Sequence, residues 1–235
     1  MRARGRPAVA RCVLACAASV CAFAAQAQLA ASVSVTSEYR FRGVAQADGR
    51  PALQAALEGD AAAGWYGGTT ATQVALSQGH RYVELGVYGG RVLGASADAL
   101  RPELGARASH FAGDASYDYA EAYAGLVAAR WNLRAYASPD YFGRGTRTLY
   151  VELNADRPLG DVARLFGHAG VIAGRGGPPG LQNSKARFDA SVGVVFVRER
   201  AQLQLAAVGA TEGGPYPAVF NTRRGAFVAT ASIAF

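Results

Sequence analysis

The chain has 235 residues, about half of them hydrophobic, with 29 glycines, few charged side chains and a formal charge of +7. That length fits one large domain or two small ones. All three cysteines, Cys12, Cys16 and Cys21, lie near the start, which excludes a disulfide framework or a cysteine metal site in the rest of the chain.

Four arginines (Arg2, Arg4, Arg6 and Arg11) precede an apolar stretch over residues 13–25 and a small-x-small site at Ala25-Gln26-Ala27. That order predicts a cleaved secretory signal peptide over residues 1–27 and a mature domain over residues 28–235. The apolar stretch before Cys16 is too short for lipoprotein processing there. Removing the four arginines lowers the formal charge from +7 to +3, so the basic balance belongs partly to the precursor and no nucleic-acid partner is expected. After Ala27 there is no run of 18 apolar residues, which excludes a transmembrane helix.

What recurs instead is two-residue alternation over segments of roughly ten residues, separated by turn residues. Twelve strands are predicted, starting near Ser32, Ala52, Trp65, Arg81, Leu104, Asp118, Arg130, Arg147, Leu165, Ala186, Ala201 and Ala226. In the first, Val33, Val35, Tyr39 and Phe41 share one face, with Ser34, Thr36, Glu38 and Arg40 on the other. In the fourth, Val83, Leu85 and Val87 oppose Tyr82, Glu84 and Tyr88; in the eighth, Leu149, Val151 and Leu153 oppose Tyr150, Glu152 and Asn154. Long, turn-rich loops fall mostly after odd strands, around Asp48-Gly49, residues 139–145, residues 174–185 and residues 212–225. The connections around Ala129 and Glu199-Arg200 are short, while residues 93–102 are longer than that scheme expects.

In hydrocarbon every backbone N–H and C=O must be paired within the protein, so a sheet crosses a membrane only when closed on itself, with an apolar outer face. A soluble sandwich alternates too. The signal peptide, the cysteine-free mature chain and the closing "FVATASIAF", alternating to a final aromatic, select the barrel. The expectation is an all-β, antiparallel transmembrane barrel in the outer membrane of a Gram-negative bacterium. Trp65, Tyr66, Trp131, Phe142, Phe166, Phe227 and Phe235 fall near strand ends and are expected in interfacial girdles.

The stretch "SVTSEYRFRGVAQADGRPALQAAL" resembles the opening motif of the TorF-family porins of proteobacteria, through Ser37, Tyr39, Phe41, Arg42, Gly43, Gln46, Pro51, Ala52 and Gln54. "GWYGG" at 64–68, "YDYAEAYAGL" at 117–126, "YASPDYFG" at 136–143 and the terminal Phe235 extend the likeness. The resemblance implies an outer-membrane barrel with a channel role. It departs at Gly86, where a second acid after Glu84 is expected, and at Thr70 and Thr72, where Trp and Ser are expected.

A repeated Tyr-x-Glu (Tyr82/Glu84, Tyr119/Glu121, Tyr150/Glu152) falls on the fourth, sixth and eighth strands, which run the same way, so each pair is expected to face the lumen. Arg40, Arg42, Arg107, Arg130, Arg134 and Arg187 are the expected inward bases, with Glu38, Glu58 and Asp189 among the inward acids. Opposed charges of this kind either filter solutes in an open pore or pair across a narrow lumen and fill it. Twelve strands lie between filled barrels of about eight and channels of sixteen or more.

Other chemistry finds little support. His80, His110 and His168 lack a serine partner in triad geometry, no metal-ligand spacing occurs, and "GRGGPPG" at 174–180 lacks the Gly-Lys-Ser/Thr end of a phosphate loop. No enzyme activity and no cofactor is expected. Arg223-Arg224 could touch lipopolysaccharide phosphates or stay solvated.

The expected function is passive diffusion of small polar solutes or ions, with a closed barrel acting structurally, adhesively or as a ligand binder through its outer loops as the alternative. Expected partners are outer-membrane lipid and lipopolysaccharide, the barrel assembly machinery through the C-terminal strand, small solutes and a possible second copy. Deleting Phe235 is expected to lower the assembled protein in the outer membrane without affecting export; fractionation with unchanged assembly would count against the barrel.

Overall fold

A computed structural model describes residues 28–77, 80–94, 99–178, 185–217, 220 and 224–235. The expected signal peptide lies outside the described residues. The strands are β1 (Gln28–Thr36), β2 (Arg40–Phe41), β3 (Val44–Ala45), β4 (Ala52–Asp60), β5 (Trp65–Ser77), β6 (His80–Val92), β7 (Arg101–Ala112), β8 (Tyr119–Val127), β9 (Trp131–Tyr141), β10 (Thr146–Pro158), β11 (Ala163–Gly176), β12 (Arg187–Arg198), β13 (Ala201–Ala210) and β14 (Gly225–Ala234). Apart from the short hairpin β2–β3, these close into one antiparallel barrel of twelve strands, with β1 joined to both β4 and β14. All twelve predicted strands are present, and their starts differ from the predicted ones by four residues at most.

The wall inverts the usual order of a folded domain. Val33, Leu57, Leu85, Leu104, Leu149 and Val192 face outward, between 45 % and 58 % exposed, while inward Glu84, Glu121, Thr148 and Asp189 are buried. An apolar band of that extent fits hydrocarbon and not water. Trp65, Trp131 and Phe235 stand exposed at the short-turn rim and Phe227 at the other. Tyr66, Phe142 and Phe166 depart from the expected girdle. The Tyr66 hydroxyl donates to Glu103 inside the barrel, Phe142 is fully buried, and the Phe166 ring lies over inward-facing Gly193.

The seam closes to the last residue. Val33 pairs with Ile233 and Ser32 with Ala234, and the Phe235 N–H donates to the Ala31 carbonyl at 2.8 Å. At the short-turn rim the connections are residues 61–64, 128–130, 159–162 and 199–200, with 93–100 longer; at the other rim, 37–51, 177–186 and 211–224 are the long ones. The long loop expected over 139–145 shrinks to 142–145, because β9 continues to Tyr141.

The main departure from expectation lies between β1 and β4. Thr36 stands directly opposite Ala52, so a hairpin turn of two to five residues would suffice. The chain spends 15 residues there instead, 37–51. The first strand was expected to continue through Phe41, with Tyr39 and Phe41 facing outward. It stops at Thr36, where the Ser37 N–H donates to Ala229 O and the Thr36 hydroxyl donates to Glu38 O. The chain then folds into the lumen as the β2–β3 hairpin.

Two left-handed residues, Arg42 (φ 50°) and Gly43 (φ 73°), make its two-residue turn. Val44, Ala45 and Gln46 are completely buried, and the Gln46 carbonyl accepts from Ala75 N–H of β5 at 2.7 Å.

Gly43 is pressed against the far wall. A Cβ there would lie 2.7 Å from the Asp189 Cβ and 2.8 Å from the Ala210 Cβ. Gly43→Ala is therefore expected to cost about 1–3 kcal/mol of local stability through backbone strain and overlap. Hydrogen exchange should speed up over residues 37–51 while the barrel ladder stays protected; unchanged exchange there would refute the close packing.

Candidate functional site

The lumen holds three polar clusters arranged around the inward segment. In the first, Arg42 at the hairpin tip donates to both oxygens of Glu121 on β8, Nη1 to Oε1 and Nη2 to Oε2, each at 2.8 Å. Its guanidinium also lies 4.1 Å from the Tyr150 ring centroid, 5.0 Å from Tyr136 and 4.8 Å from Phe41. Arg107 of β7, directly opposite Glu121 in register, approaches it at 3.7 Å and covers Phe41 at 4.7 Å. Phe41, which alternation placed toward lipid, is thus in contact with two guanidinium groups. Such a bidentate pair, with aromatic faces against the cation, offsets the large desolvation cost of burying both charges.

The second cluster lies nearer the short-turn rim. Arg134 of β9 donates to Glu103 of β7 from Nε at 2.6 Å and Nη2 at 2.9 Å. Glu103 also accepts from Tyr66, whose hydroxyl meets that of Tyr123 at 2.6 Å. This ion pair crosses over β8 at Gly125, where a Cβ would meet Arg134 Cγ at 3.0 Å and Glu103 Oε2 at 3.1 Å. The missing side chain is what lets β7 and β9 touch across an intervening strand.

The third cluster runs along β10, β11 and β12. The His168 ring nitrogens face Asp189 Oδ1 and Asn154 Oδ1, each at 2.7 Å. The Tyr150 hydroxyl donates to Asp189 at 3.2 Å, and Asn154 Nδ2 donates to Glu152 at 3.2 Å. Next to it, fully buried Arg187 donates to Gly43 O at 3.3 Å and Gly213 O at 3.5 Å, tying the 37–51 and 211–224 segments to β12.

Above these, at the long-loop end, Phe111, Tyr119, Tyr141, Phe142, Tyr216 and Phe220 pack ring to ring, with Phe142 4.6 Å from Tyr141 and 5.0 Å from Phe220. Burial pushes the hydroxyls of loop residues Tyr39 and Tyr216 well above the ordinary tyrosine range, so both stay neutral. The short-turn end is more open. There a cavity of about 190 Å³ opens beside Glu58, Asp60, Tyr66 and Tyr88, and Tyr88 donates to Glu58 at 2.5 Å.

Of the residues singled out in the sequence, Glu84, Arg107, Glu121, Arg134, Glu152, Arg187 and Asp189 lie on the inner wall. Glu38, Arg40 and Arg42 also reach the interior, but on the 37–51 segment and not on an extended first strand, and Arg40 pairs with Glu38 at 2.7 Å. Glu84 is buried with Oε2 lacking a hydrogen-bond partner among the described residues. Arg130, expected inward, sits in the 128–130 turn, mostly exposed, 3.5 Å from Asp156.

Glu103 and Tyr66 were missed, although the parity that puts Arg107 inside also puts Glu103 there. His110 faces outward and meets Asp118 at 2.7 Å. Among the described residues, no three His, Cys, Asp or Glu side chains stand where they could hold a metal ion.

Residues 22–213 match a family described as "Bacterial protein of unknown function (Gcw_chp)". No curated protein matches the chain. A membrane-protein structure from a study of in-meso crystallization is similar to it with a TM-score of 0.50 and 8 % identity, over 88 % of this chain and 83 % of that one. This likeness concerns the fold alone. The COG4313 outer membrane channel from Pseudomonas putida F1 aligns with a TM-score of 0.48 and 10 % identity, over 89 % and 94 % of the two chains. The translocator domain of autotransporter NalP from Neisseria meningitidis aligns with a TM-score of 0.44 and 12 % identity, over 96 % and 94 %.

Replacing Glu121 with Gln leaves Arg42 buried without its counter-charge, a change expected to cost about 3–5 kcal/mol. The Arg42→Leu/Glu121→Leu pair should cost much less than either single change. Urea midpoints of the refolded barrel in detergent measure this, and additive single-variant effects would mean that the two charges do not depend on each other.

Proposed function

The chain belongs to the Gcw_chp family of bacterial proteins of unknown function, and we propose that it is an outer-membrane channel of porin type, passing small polar solutes or ions by diffusion. The outer membrane of a Gram-negative bacterium is the location this reading requires. The constriction of the channel is the inward segment 37–51.

One observation carries the reading: this segment is held in the lumen by charged and polar contacts to the wall, through Arg42–Glu121, Arg187 to Gly43 O and Ala75 N–H to Gln46 O. A lumen designed only to be filled could use apolar packing, which avoids the desolvation of buried charge. Charged groups on a loop at the narrowest level give a barrel a place to sort solutes by size and sign. The open, acidic hollow beside Glu58 and Asp60 supplies the wide mouth on the short-turn side. The likeness of residues 34–57 to the opening motif of TorF-family porins supports the same reading.

A closed barrel with a structural, adhesive or ligand-binding role is favoured by a different observation: Arg42, Val44, Ala45, Gln46, Glu121 and Tyr150 are all buried at the level of the segment. The two readings separate in a planar bilayer. Refolded residues 28–235 are expected to give small stepwise conductances. Replacing 38–48 with a short Gly/Ser linker, which the Thr36–Ala52 pairing allows, should raise conductance several-fold and alter cation/anion preference. Silence from the parent with conductance only from the shortened variant would establish the closed barrel, and silence from both would remove the channel altogether.

A further inference from the structure

The outer surface carries a pair of charges that the lumen does not use. Arg147 of β10 and Arg175 of β11 are direct cross-strand partners, and both are exposed. Arg147 shares the outward parity of Leu149 and Leu153, and Arg175 that of Ala173, so the two guanidinium groups stand side by side on the lipid face at the long-loop rim. Directly opposed like charges destabilise a sheet. Among the described residues neither arginine has an ion-pair partner. Of the acids nearest Arg147 along the chain, Glu152 has the inward parity of Tyr150, and Asp140 accepts from Gly145 N–H in the 142–145 turn. Other arginines at this rim are engaged differently: Arg81 donates to Gln73 at 3.2 Å, and Arg224 pairs with Glu212. The sequence-based candidate Arg223 lies outside the described residues.

Immediately below the pair the apolar band begins. Leu149 opposes Ala173 and Phe188 opposes Val171, and Leu149 and Phe188 are more than half exposed. The guanidinium groups therefore lie one outward position, about 7 Å along the strand, beyond the band. That is where a lipid's phosphate sits when its acyl chains lie along the band.

From this register we propose that Arg147 and Arg175 form a binding site for the phosphate of an outer-leaflet phosphorylated lipid. One anion between the two forks relieves their repulsion and accepts hydrogen bonds from both, while Leu149 and Phe188 take the acyl chains. Free phosphate offers the same charge without the chains. The proposal rests on the barrel standing in an outer membrane and is independent of whether its lumen conducts.

The test uses refolded residues 28–235 in a neutral detergent, with native mass spectrometry and thermal unfolding as readouts. The probes are diphosphorylated lipid A, its dephosphorylated form and inorganic phosphate. Diphosphorylated lipid A should form discrete adducts and raise the melting temperature. In Arg147→Gln/Arg175→Gln its affinity should fall at least about tenfold, while Arg81→Gln should bind like the parent. Equal binding by the double variant, or equal binding of the dephosphorylated lipid to the parent, would overturn the site. An equal shift from inorganic phosphate alone would overturn the lipid as its occupant. Both arginines are surface residues, so the variants should refold with the parent's heat-modifiable mobility. A parent chain that showed no such mobility would refute the membrane barrel itself, a result distinct from loss of lipid binding and from loss of conductance.

Discussion

A peptide N–H or C=O left unpaired in hydrocarbon costs several kcal/mol, and the closure of β1 onto β14 removes the last row of them. Once the sheet is closed, its two faces are no longer equivalent solvents. The outer face meets lipid and takes Val33, Leu57, Leu104 and Val192; the inner face is left with most of the polar side chains the alternation supplies. The polar interior follows from the closure, and so does its difficulty: carboxylates and guanidinium groups are confined where water is scarce.

The chain resolves that difficulty by pairing charges across strands and by bringing in backbone. Glu103 reaches Arg134 over Gly125, and Glu121 takes Arg42 from a segment with no place in the wall. Aromatic rings complete the filling at the long-loop end. The two halves of the lumen therefore differ in kind. One is packed with rings and buried ion pairs, and the other is lined by reachable Glu58 and Asp60 around open volume. A twelve-stranded wall is wide enough that side chains alone need not fill it, and the 37–51 segment makes up part of the difference.

Much of this was legible in the sequence because a period of two carries its own parity. Leu149, Val151 and Leu153 against Tyr150, Glu152 and Asn154 fixes both faces of β10 without knowledge of any partner, and the same reasoning placed Arg107, Glu121, Arg134 and Asp189. The inward segment escaped it for a physical reason. Alternation persists through Glu38, Tyr39, Arg40 and Phe41, so nothing in the pattern marks the strand's end at Thr36; there the Ser37 hydroxyl, in place of a backbone carbonyl, accepts the N–H of Ala229, nearly two hundred residues away. The only local warnings were Arg42-Gly43 and Asp48-Gly49, turn signals that do not say into which space the chain turns. Tyr66, Phe142 and Phe166 were misassigned because nearness to a strand end says nothing of face, whereas strand parity gave Glu103 correctly to anyone who extended it from Arg107.

The pairing of Thr36 with Ala52 has a mechanical meaning. Both ends of the 37–51 segment are fastened to neighbouring strands at one rim, and its middle is tied to β5 through Gln46, to β8 through Arg42 and to β12 through Arg187. A load on the segment from either side is therefore spread over strands around the barrel and does not fall on its two ends alone. The segment acts as an internal brace, joining parts of the wall that the sheet connects only through several intervening strands.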